Sequence, residues 1–182
     1  MPRLFKHTIM SDKFRNIYRI PSSRLSNWDY SNNGYYFVTI CTKERKHYFG
    51  EIANNKMKLS KIGEIAKYHW FEIPKHFSFI ELDEFIIMPN HVHGIIIINV
   101  NNRRDGACPV STERKNTLGN IVGSFKSVVT KYANNQNIPF SWQTRFYDQI
   151  IRNEKSFYYI RQYIRDNPMN WETDRNNLPS EF

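Results

Sequence analysis

The sequence predicts one domain in which strands and helices are mixed. Its 182 residues are enough for a single hydrophobic core. Two runs rich in β-branched and aromatic residues, 35–42 and 85–98, are typical of strands. Apolar residues recur at helical spacing in 60–74, 117–132 and 153–168. We therefore expect an α/β fold in which the whole chain, residues 1–182, forms one domain.

The chain is strongly basic. Its 26 lysines and arginines outnumber its 17 acidic residues, which gives a net charge of +9 and an isoelectric point of about 9.6. Such a charge favours a polyanionic partner such as nucleic acid. The sequence shows neither a signal-peptide pattern nor an apolar run long enough to span a bilayer, and its two cysteines fit no metal or disulfide spacing. We expect no membrane partner and a cytoplasmic location.

Basic and aromatic residues alternate in the N-terminal arm, residues 1–30. Arg19 and Arg24 stand near aromatic residues such as Trp28. This mixture suits single-stranded nucleic acid, because arginines pair with phosphates and aromatic rings stack on bases. The alternative is an arm whose aromatic side chains pack on the domain.

Two histidines stand at the start of an apolar strand. The stretch 88–94, Met-Pro-Asn-His-Val-His-Gly, joins two apolar runs through a tight turn. Since side chains alternate along a strand, His91 and His93 face the same side, with Cα atoms about 6.6 Å apart. Two neutral imidazoles at this spacing can bind one divalent ion. Hydrogen-bonded core histidines are the alternative. Because the run is apolar on both faces, we expect it to be a central strand.

A long polar and basic connection, residues 99–116, follows the histidine strand, and its length indicates mobility. The next helix carries Lys126, and the strand predicted after it, residues 142–151, carries Arg145 among aromatic residues. We expect Lys126 and Arg145 to contact nucleic acid. For Arg145, ordinary packing at a sheet edge is the alternative. In the earlier strand 35–42, Thr39 could line the site or serve only in sheet packing.

The last helix carries a tyrosine and an asparagine one turn apart. Tyr163 and Asn167 share a face because they are four residues apart, and Pro168 ends the helix. The chain contains 11 tyrosines, so spacing alone does not select a nucleophile. Tyr159 and Tyr132 therefore remain alternatives.

Several segments together resemble one family. The string Met-Pro-Asn-His-Val-His resembles the HUH motif of single-strand DNA endonucleases. The string Tyr-Ile-Arg-Asp-Asn-Pro at 163–168 resembles the tyrosine helix of the REP-associated tyrosine transposases. Segments at 24–30, 123–127 and 142–143 are similar to the same family, and the resemblance covers residues 24–171.

The resemblance implies a ferredoxin-like fold of the α+β type, with an antiparallel sheet and helices packed on one face. It implies Tyr163 as the nucleophile and His91, His93 and Asn167 as ligands of Mg²⁺ or Mn²⁺. The implied partners are hairpins of palindromic repeats in single-stranded DNA. They would be bound by a monomer or a homodimer in the bacterial cytoplasm, at the nucleoid.

The implied activity is cleavage and rejoining of single-stranded DNA through a 5′-phosphotyrosine. One alternative is a protein that keeps the fold and binds DNA hairpins without cutting them. Another is a transposase that moves its own gene. The insertion 99–116 and the tail 172–182 depart from the family pattern, and we expect neither to touch the site.

Overall fold

A four-stranded antiparallel sheet forms the centre of the fold. The computed structural model describes residues 13–14, 17–18, 28–100 and 117–177. The strands are β1 (Lys13–Phe14), β2 (Ile17–Tyr18), β3 (Gly34–Cys41), β4 (Gly50–Ala53), β5 (Lys56–Leu59), β6 (Ile80–Met88), β7 (His91–Ile98) and β8 (Tyr147–Ile151). The helices are α1 (Lys61–His76), α2 (Leu118–Asn135) and α3 (Glu154–Asp166), with 3₁₀ turns at Lys43–Arg45 and Trp171–Thr173. Most of the N-terminal arm, with Arg19 and Arg24, and residues 101–116 of the basic connection lie outside the described residues.

The histidine strand is central, as the sequence predicts. The sheet order is β6-β7-β3-β8, so β7 lies between β6 and β3. Pro89 and Asn90 form the tight turn that joins β6 to β7. In the antiparallel register, Cys41 pairs with His91 and Thr39 pairs with His93. Short hairpins are formed separately by β1 with β2 and by β4 with β5.

The two faces of the sheet carry different helices. On one face, residues such as Val38 and Ile96 pack in a large core with α1 and α2. On the other face, Phe37 and Ile95 pack against Ile160 and Ile164 of α3. The predicted α/β class with an antiparallel sheet is confirmed. The prediction that the helices share one face is correct for α1 and α2 and wrong for α3. The physical reason is that β3 and β7 are apolar on both faces, and both faces must be covered.

Gly94 fixes the packing behind the histidine strand. A Cβ atom at Gly94 would lie 2.3 Å from the ring of Trp70. Trp70 is fully buried and stacks on Phe85, with 4.8 Å between ring centroids. The glycine therefore lets α1 lie directly against β7. Because neighbouring residues of a strand face opposite sides, His93 points away from this contact.

The helix ends follow the sequence closely. Ser60 caps α1 by accepting a hydrogen bond from the Gly63 N–H, and Asn153 caps α3 by accepting one from Ser156. Helix α3 ends before Pro168, as predicted, whereas α1 continues past Pro74 to His76. A proline in a last turn removes only one backbone hydrogen bond, and that explains the extra residues. No helix in the described part of the chain has both the length and the apolar character to cross a membrane.

Candidate metal and tyrosine site

His91 and His93 converge on one point at the start of β7. Both side chains are completely buried on the face covered by α3. Their Nε2 atoms lie 3.0 Å apart. The alternation of side chains along β7 therefore produces the shared face that the sequence predicts, and the two ring nitrogens point into one small space.

A hydrogen-bond network behind the rings fixes the tautomer of His91. The Asn90 side chain donates from Nδ2 to the backbone carbonyls of Asn176, at 2.8 Å, and Arg45, at 3.1 Å. These bonds turn its Oδ1 towards His91 Nδ1, 2.8 Å away. Since Oδ1 can only accept, Nδ1 of His91 carries the proton and Nε2 keeps its lone pair.

His93 is held from behind by a neighbouring strand. The Thr39 hydroxyl lies 2.9 Å from His93 Nδ1 and is itself buried. The sequence leaves open whether Thr39 lines the site or serves only in sheet packing. The structure shows both, because Thr39 belongs to β3 and also holds a site histidine. Each ring is therefore anchored at Nδ1 and directs Nε2 towards the other ring.

Both imidazoles are neutral at physiological pH. Burial, assisted by the positive charge of Arg45, lowers the pKa of His91 to about 3. Burial and the neighbouring His91 lower the pKa of His93 well below its usual value. Neutral imidazole is the form that binds a metal ion. Burial and the nearby charges thus keep both rings in the protonation state that can bind a metal ion.

Helix α3 brings Tyr163 and Asn167 to the histidines. The Tyr163 hydroxyl oxygen lies 3.3 Å from His93 Nε2. Asn167 is buried one turn later, and its Nδ2 donates to Asp174 Oδ2 at 3.0 Å. Its Oδ1 has no hydrogen-bond partner. A buried carbonyl oxygen without a partner costs roughly 1–3 kcal/mol, so this atom fits a cation ligand.

Asp174 is the site residue that sequence reasoning missed. Suitable ligand atoms of His91, His93 and Asp174 all lie within 4.8 Å of one another. The prediction that the tail 172–182 stays away from the site is wrong, because the 3₁₀ turn Trp171–Thr173 returns the chain and places Asp174 there. No sequence spacing connects Asp174 with the histidines, so the sequence offers only the weak signal that two acids, Glu172 and Asp174, soon follow the tyrosine helix.

Together the side chains suit a hard divalent ion. Two neutral imidazole nitrogens and one carboxylate oxygen lie within 4.8 Å of one another. Asn167, which is hydrogen-bonded to Asp174, adds a buried amide oxygen, and the carboxylate supplies the negative charge of the set. Mg²⁺ and Mn²⁺ accept oxygen ligands of this kind, and imidazole nitrogens extend the choice towards transition metals. The residues present therefore fit the divalent ion that the family resemblance implies.

The hydroxyl group of Tyr163 is protonated in this arrangement. Its pKa is raised by burial first and by the negative charge of Asp174 second. The two alternative tyrosines lie elsewhere. Tyr159 is 73% exposed, and Tyr132 belongs to α2, which packs on the opposite face of the sheet. Of these three tyrosines, the structure brings Tyr163 to the histidines.

The predicted DNA-contacting residues have different environments. Trp28 donates from Nε1 to the Tyr36 hydroxyl at 3.1 Å and packs against the core, which is the packing alternative of the sequence analysis. Lys126 donates from Nζ to the backbone carbonyl of Gln143 at 2.7 Å, and burial lowers its pKa. Arg145 is exposed beside a cavity. Contact with DNA stays a prediction for all three.

Comparison with known proteins gives one sequence relative and one fold. No family model matches the chain. Over 178 residues, 38% are identical to an uncharacterized protein of Haemophilus influenzae, and the match covers 91% of this chain and 98% of that protein. A solved structure of a REP-associated tyrosine transposase bound to a REP hairpin matches with a TM-score of 0.57 at 16% identity, over 84% of this chain and 74% of that one. The resemblance found in the sequence is confirmed at the level of the fold.

Proposed function

We propose that the chain is an enzyme that cuts and rejoins single-stranded DNA. The chain belongs to one family with the Haemophilus influenzae protein, and it has the fold of a REP-associated tyrosine transposase. The observation that carries the proposal is the position of the Tyr163 hydroxyl, 3.3 Å from Nε2 of His93. The proposed nucleophile and the proposed pair of ligands thus lie side by side.

The ion site proposed consists of four side chains. His91 and His93 contribute Nε2 atoms, Asn167 contributes the Oδ1 atom that has no partner, and Asp174 contributes a carboxylate oxygen. A divalent ion held there, Mg²⁺ or Mn²⁺, would supply positive charge to the scissile phosphate and to the attacking oxygen. The four side chains are buried, and a low local dielectric constant strengthens such interactions.

Tyr163 is the proposed nucleophile. Its hydroxyl oxygen attacks the phosphorus in line, a new oxygen–phosphorus bond forms, and the bond to the 3′ oxygen breaks. The proton lost by the hydroxyl is balanced by the proton gained by the 3′ oxygen. The products are a 5′-phosphotyrosine and a free 3′-hydroxyl, and a second DNA end can be joined by the reverse reaction without an external energy source.

The proposed substrate is a hairpin of single-stranded DNA formed by palindromic repeats. The transposase that shares this fold was solved with a REP hairpin, and the net charge of +9 suits a polyanion. Arg19, Arg24, Trp28, Lys126 and Arg145 are the proposed DNA contacts. The location proposed for this activity is the bacterial cytoplasm, at the nucleoid.

A covalent-adduct assay tests the proposal. Labelled hairpin oligonucleotides, taken from repeats that flank the gene, are incubated with the protein in Mn²⁺, in Mg²⁺ or in EDTA and run on a denaturing protein gel. We expect label to travel with the protein when metal is present, to disappear in EDTA and to disappear in Tyr163→Phe. Tyr159→Phe is the matched control, since it removes a hydroxyl from the same helix, and it should retain the adduct.

Two results would overturn the proposal. An adduct that survives Tyr163→Phe and is lost in Tyr159→Phe or Tyr132→Phe would move the nucleophile. Tight binding of hairpins with no adduct in either metal would replace the enzyme with a hairpin-binding protein that does not cut.

A further inference from the structure

A cavity opens beside the proposed ion site, on the same face of the sheet. Its volume is about 420 Å³, within the range of ligand pockets. Its walls come from β3, from the 3₁₀ turn Lys43–Arg45, from the segment that leads into β8 and from the tail after the 3₁₀ turn Trp171–Thr173. The lining residues include Thr39, Arg45, Arg145, Tyr147, Arg175 and Asn176.

The cavity borders the proposed active site at Thr39, which lines the cavity and whose hydroxyl lies 2.9 Å from His93 Nδ1. In the sheet register, Thr39 pairs with His93 on one side and with Tyr147 on the other. Residues directly opposite each other in antiparallel strands point to the same face. Because neighbouring strands are about 4.8 Å apart, the Cα atom of Tyr147 lies roughly 10 Å from that of His93, a distance suited to the next nucleotide of an extended strand.

The tail contributes residues both to the proposed ion site and to the cavity, namely Asp174 to the site and Arg175 and Asn176 to the cavity. Asp174, on the ion side, accepts a hydrogen bond from the backbone N–H of Asn176. The Asn176 side chain accepts one from Arg45, and its backbone carbonyl accepts one from Asn90. The turn at Asn176 therefore connects Asn90, Asp174 and Arg45 through hydrogen bonds.

The chemistry of the cavity is that of a nucleotide site. Three of the nine lining residues are arginines, Arg45, Arg145 and Arg175, and none is acidic. Tyr147 is 40% exposed, and the Arg175 guanidinium lies 5.8 Å from its ring centroid. Asn176 Nδ2 is buried and has no hydrogen-bond partner. Guanidinium groups bind phosphate, an aromatic ring stacks on a base, and an amide N–H donates to a base edge.

We propose that this cavity binds the deoxynucleotide next to the scissile phosphate, with its base stacked on Tyr147 and its phosphate paired with the arginines. Asn176 Nδ2 is the donor that meets the edge of the base. The link to the scissile phosphate rests on the proposed function, whereas binding of the nucleotide does not require cleavage.

Abasic scanning tests the base contact. A fluorescent hairpin oligonucleotide with a single-stranded flank is titrated in EDTA, and one base at a time is removed from the flank. We expect one flank position at which base removal weakens binding to the wild type about tenfold, the order typical of a stacked base. In Tyr147→Ala that position should lose its effect, while Tyr147→Phe, which keeps the ring, should behave like the wild type.

Matched controls separate the cavity from the general surface. Tyr68→Ala removes another exposed tyrosine, on α1 at the opposite face, and should keep the position-specific effect. Arg175→Gln should weaken binding and lower the dependence of log affinity on log salt by about one. Arg152→Gln removes an exposed arginine that does not line this cavity. It should change the affinity and the salt dependence less than Arg175→Gln does.

The outcomes distinguish this inference from the proposed function. If an adduct forms but binding depends on Tyr147 at no flank position, the proposed nucleotide site is wrong and the proposed cleavage activity is retained. If no adduct forms but binding still depends on Tyr147 at one position, the nucleotide site is retained and the cleavage activity is rejected. If Arg175→Gln weakens every oligonucleotide equally and Tyr147→Ala has no effect at any position, the cavity binds backbone phosphate only, and the base contact is excluded.

Discussion

Asp174 lies between the tyrosine helix and the histidine pair. It accepts a hydrogen bond from Asn167 and has its ligand atom within 4.8 Å of those of His91 and His93. Asp174→Asn keeps the shape and one acceptor oxygen but removes the charge. We expect Mn²⁺ binding, measured by isothermal titration calorimetry, to weaken by about 10–100-fold, since groups that hold or orient ligands contribute on this scale.

A neighbouring acid provides the control for Asp174. Glu172→Gln removes the same charge from an exposed position two residues earlier and should leave Mn²⁺ affinity nearly unchanged. Equal weakening in both variants would show that only the net charge near the site matters, and Asp174 would no longer belong to the ligand set.

The residues of the site differ in how far the sequence could predict them. His91 with His93, and Tyr163 with Asn167, are pairs within single elements, so the period of a strand or helix places each pair on one face. Asp174 reaches the site through a chain reversal after α3, and Asn90 acts through carbonyls that belong to Arg45 and Asn176. Contacts of this kind depend on tertiary packing and leave no spacing in the sequence.

At the scale of elements, ion pairs connect α3 to β6. Arg161 Nε lies 2.9 Å from Asp83 Oδ1, and Arg165 donates to Glu84. The acids sit where the β6–β7 register shifts between Leu82 and Phe85. Pairs of this exposure contribute less than about 1 kcal/mol each to stability. Apart from this small effect on stability, the ion pairs can influence the position of α3 and therefore of Tyr163.

We expect the double variant Asp83→Asn/Glu84→Gln to form the covalent adduct several-fold more slowly while its free energy of unfolding falls by no more than about 2 kcal/mol. The reason is that a small displacement of α3 moves the hydroxyl of Tyr163 relative to the histidines, and reaction rates are sensitive to such displacements. Single-turnover adduct formation and urea unfolding measure the two quantities.

The β4–β5 hairpin supplies a comparison for the ion-pair variant. Glu51 pairs with Lys58 at 3.6 Å on that exposed hairpin. Glu51→Gln should leave the rate of adduct formation unchanged. If the rate for the Asp83/Glu84 variant also stayed at the wild-type value, the ion pairs would have no part in positioning the tyrosine helix.

The elements themselves were largely predictable, and their arrangement was less so. Caps at Ser60 and Asn153 and the stop before Pro168 are local signals, and the structure agrees with them. The strand predicted for 142–151 is shorter, because only Tyr147–Ile151 pairs with β3 and Trp142 forms an isolated bridge with Thr42. Which face of the sheet α3 covers is decided by the apolar residues of β3 and β7 jointly, which no single segment reveals.

At the scale of the whole molecule, the buried histidines link folding to pH. His91 and His93 are enclosed by β3, β7, α3 and the tail. The charged groups near them include Arg45, Arg175 and Asp174. Burial is the largest cause of the lowered pKa of both side chains, and both become accessible to protons on unfolding. Stability must therefore depend on pH even when no metal is bound.

The folded-state pKa of His91 is about 3, below the value of about 6.5 expected in the unfolded chain. Between these values the unfolded state binds more protons, so stability is present above pH 6.5 and is lost as the pH falls. From pH 7 to 5.5 we expect His91 to lower the free energy of unfolding by about 1 kcal/mol, with His93 acting in the same direction. Urea unfolding in EDTA measures this loss. A His91→Gln/His93→Gln variant should lose less stability over the same range, because the other histidines are common to both proteins. Equal losses would mean that the two side chains are not the buried neutral pair on which the proposed ion site depends.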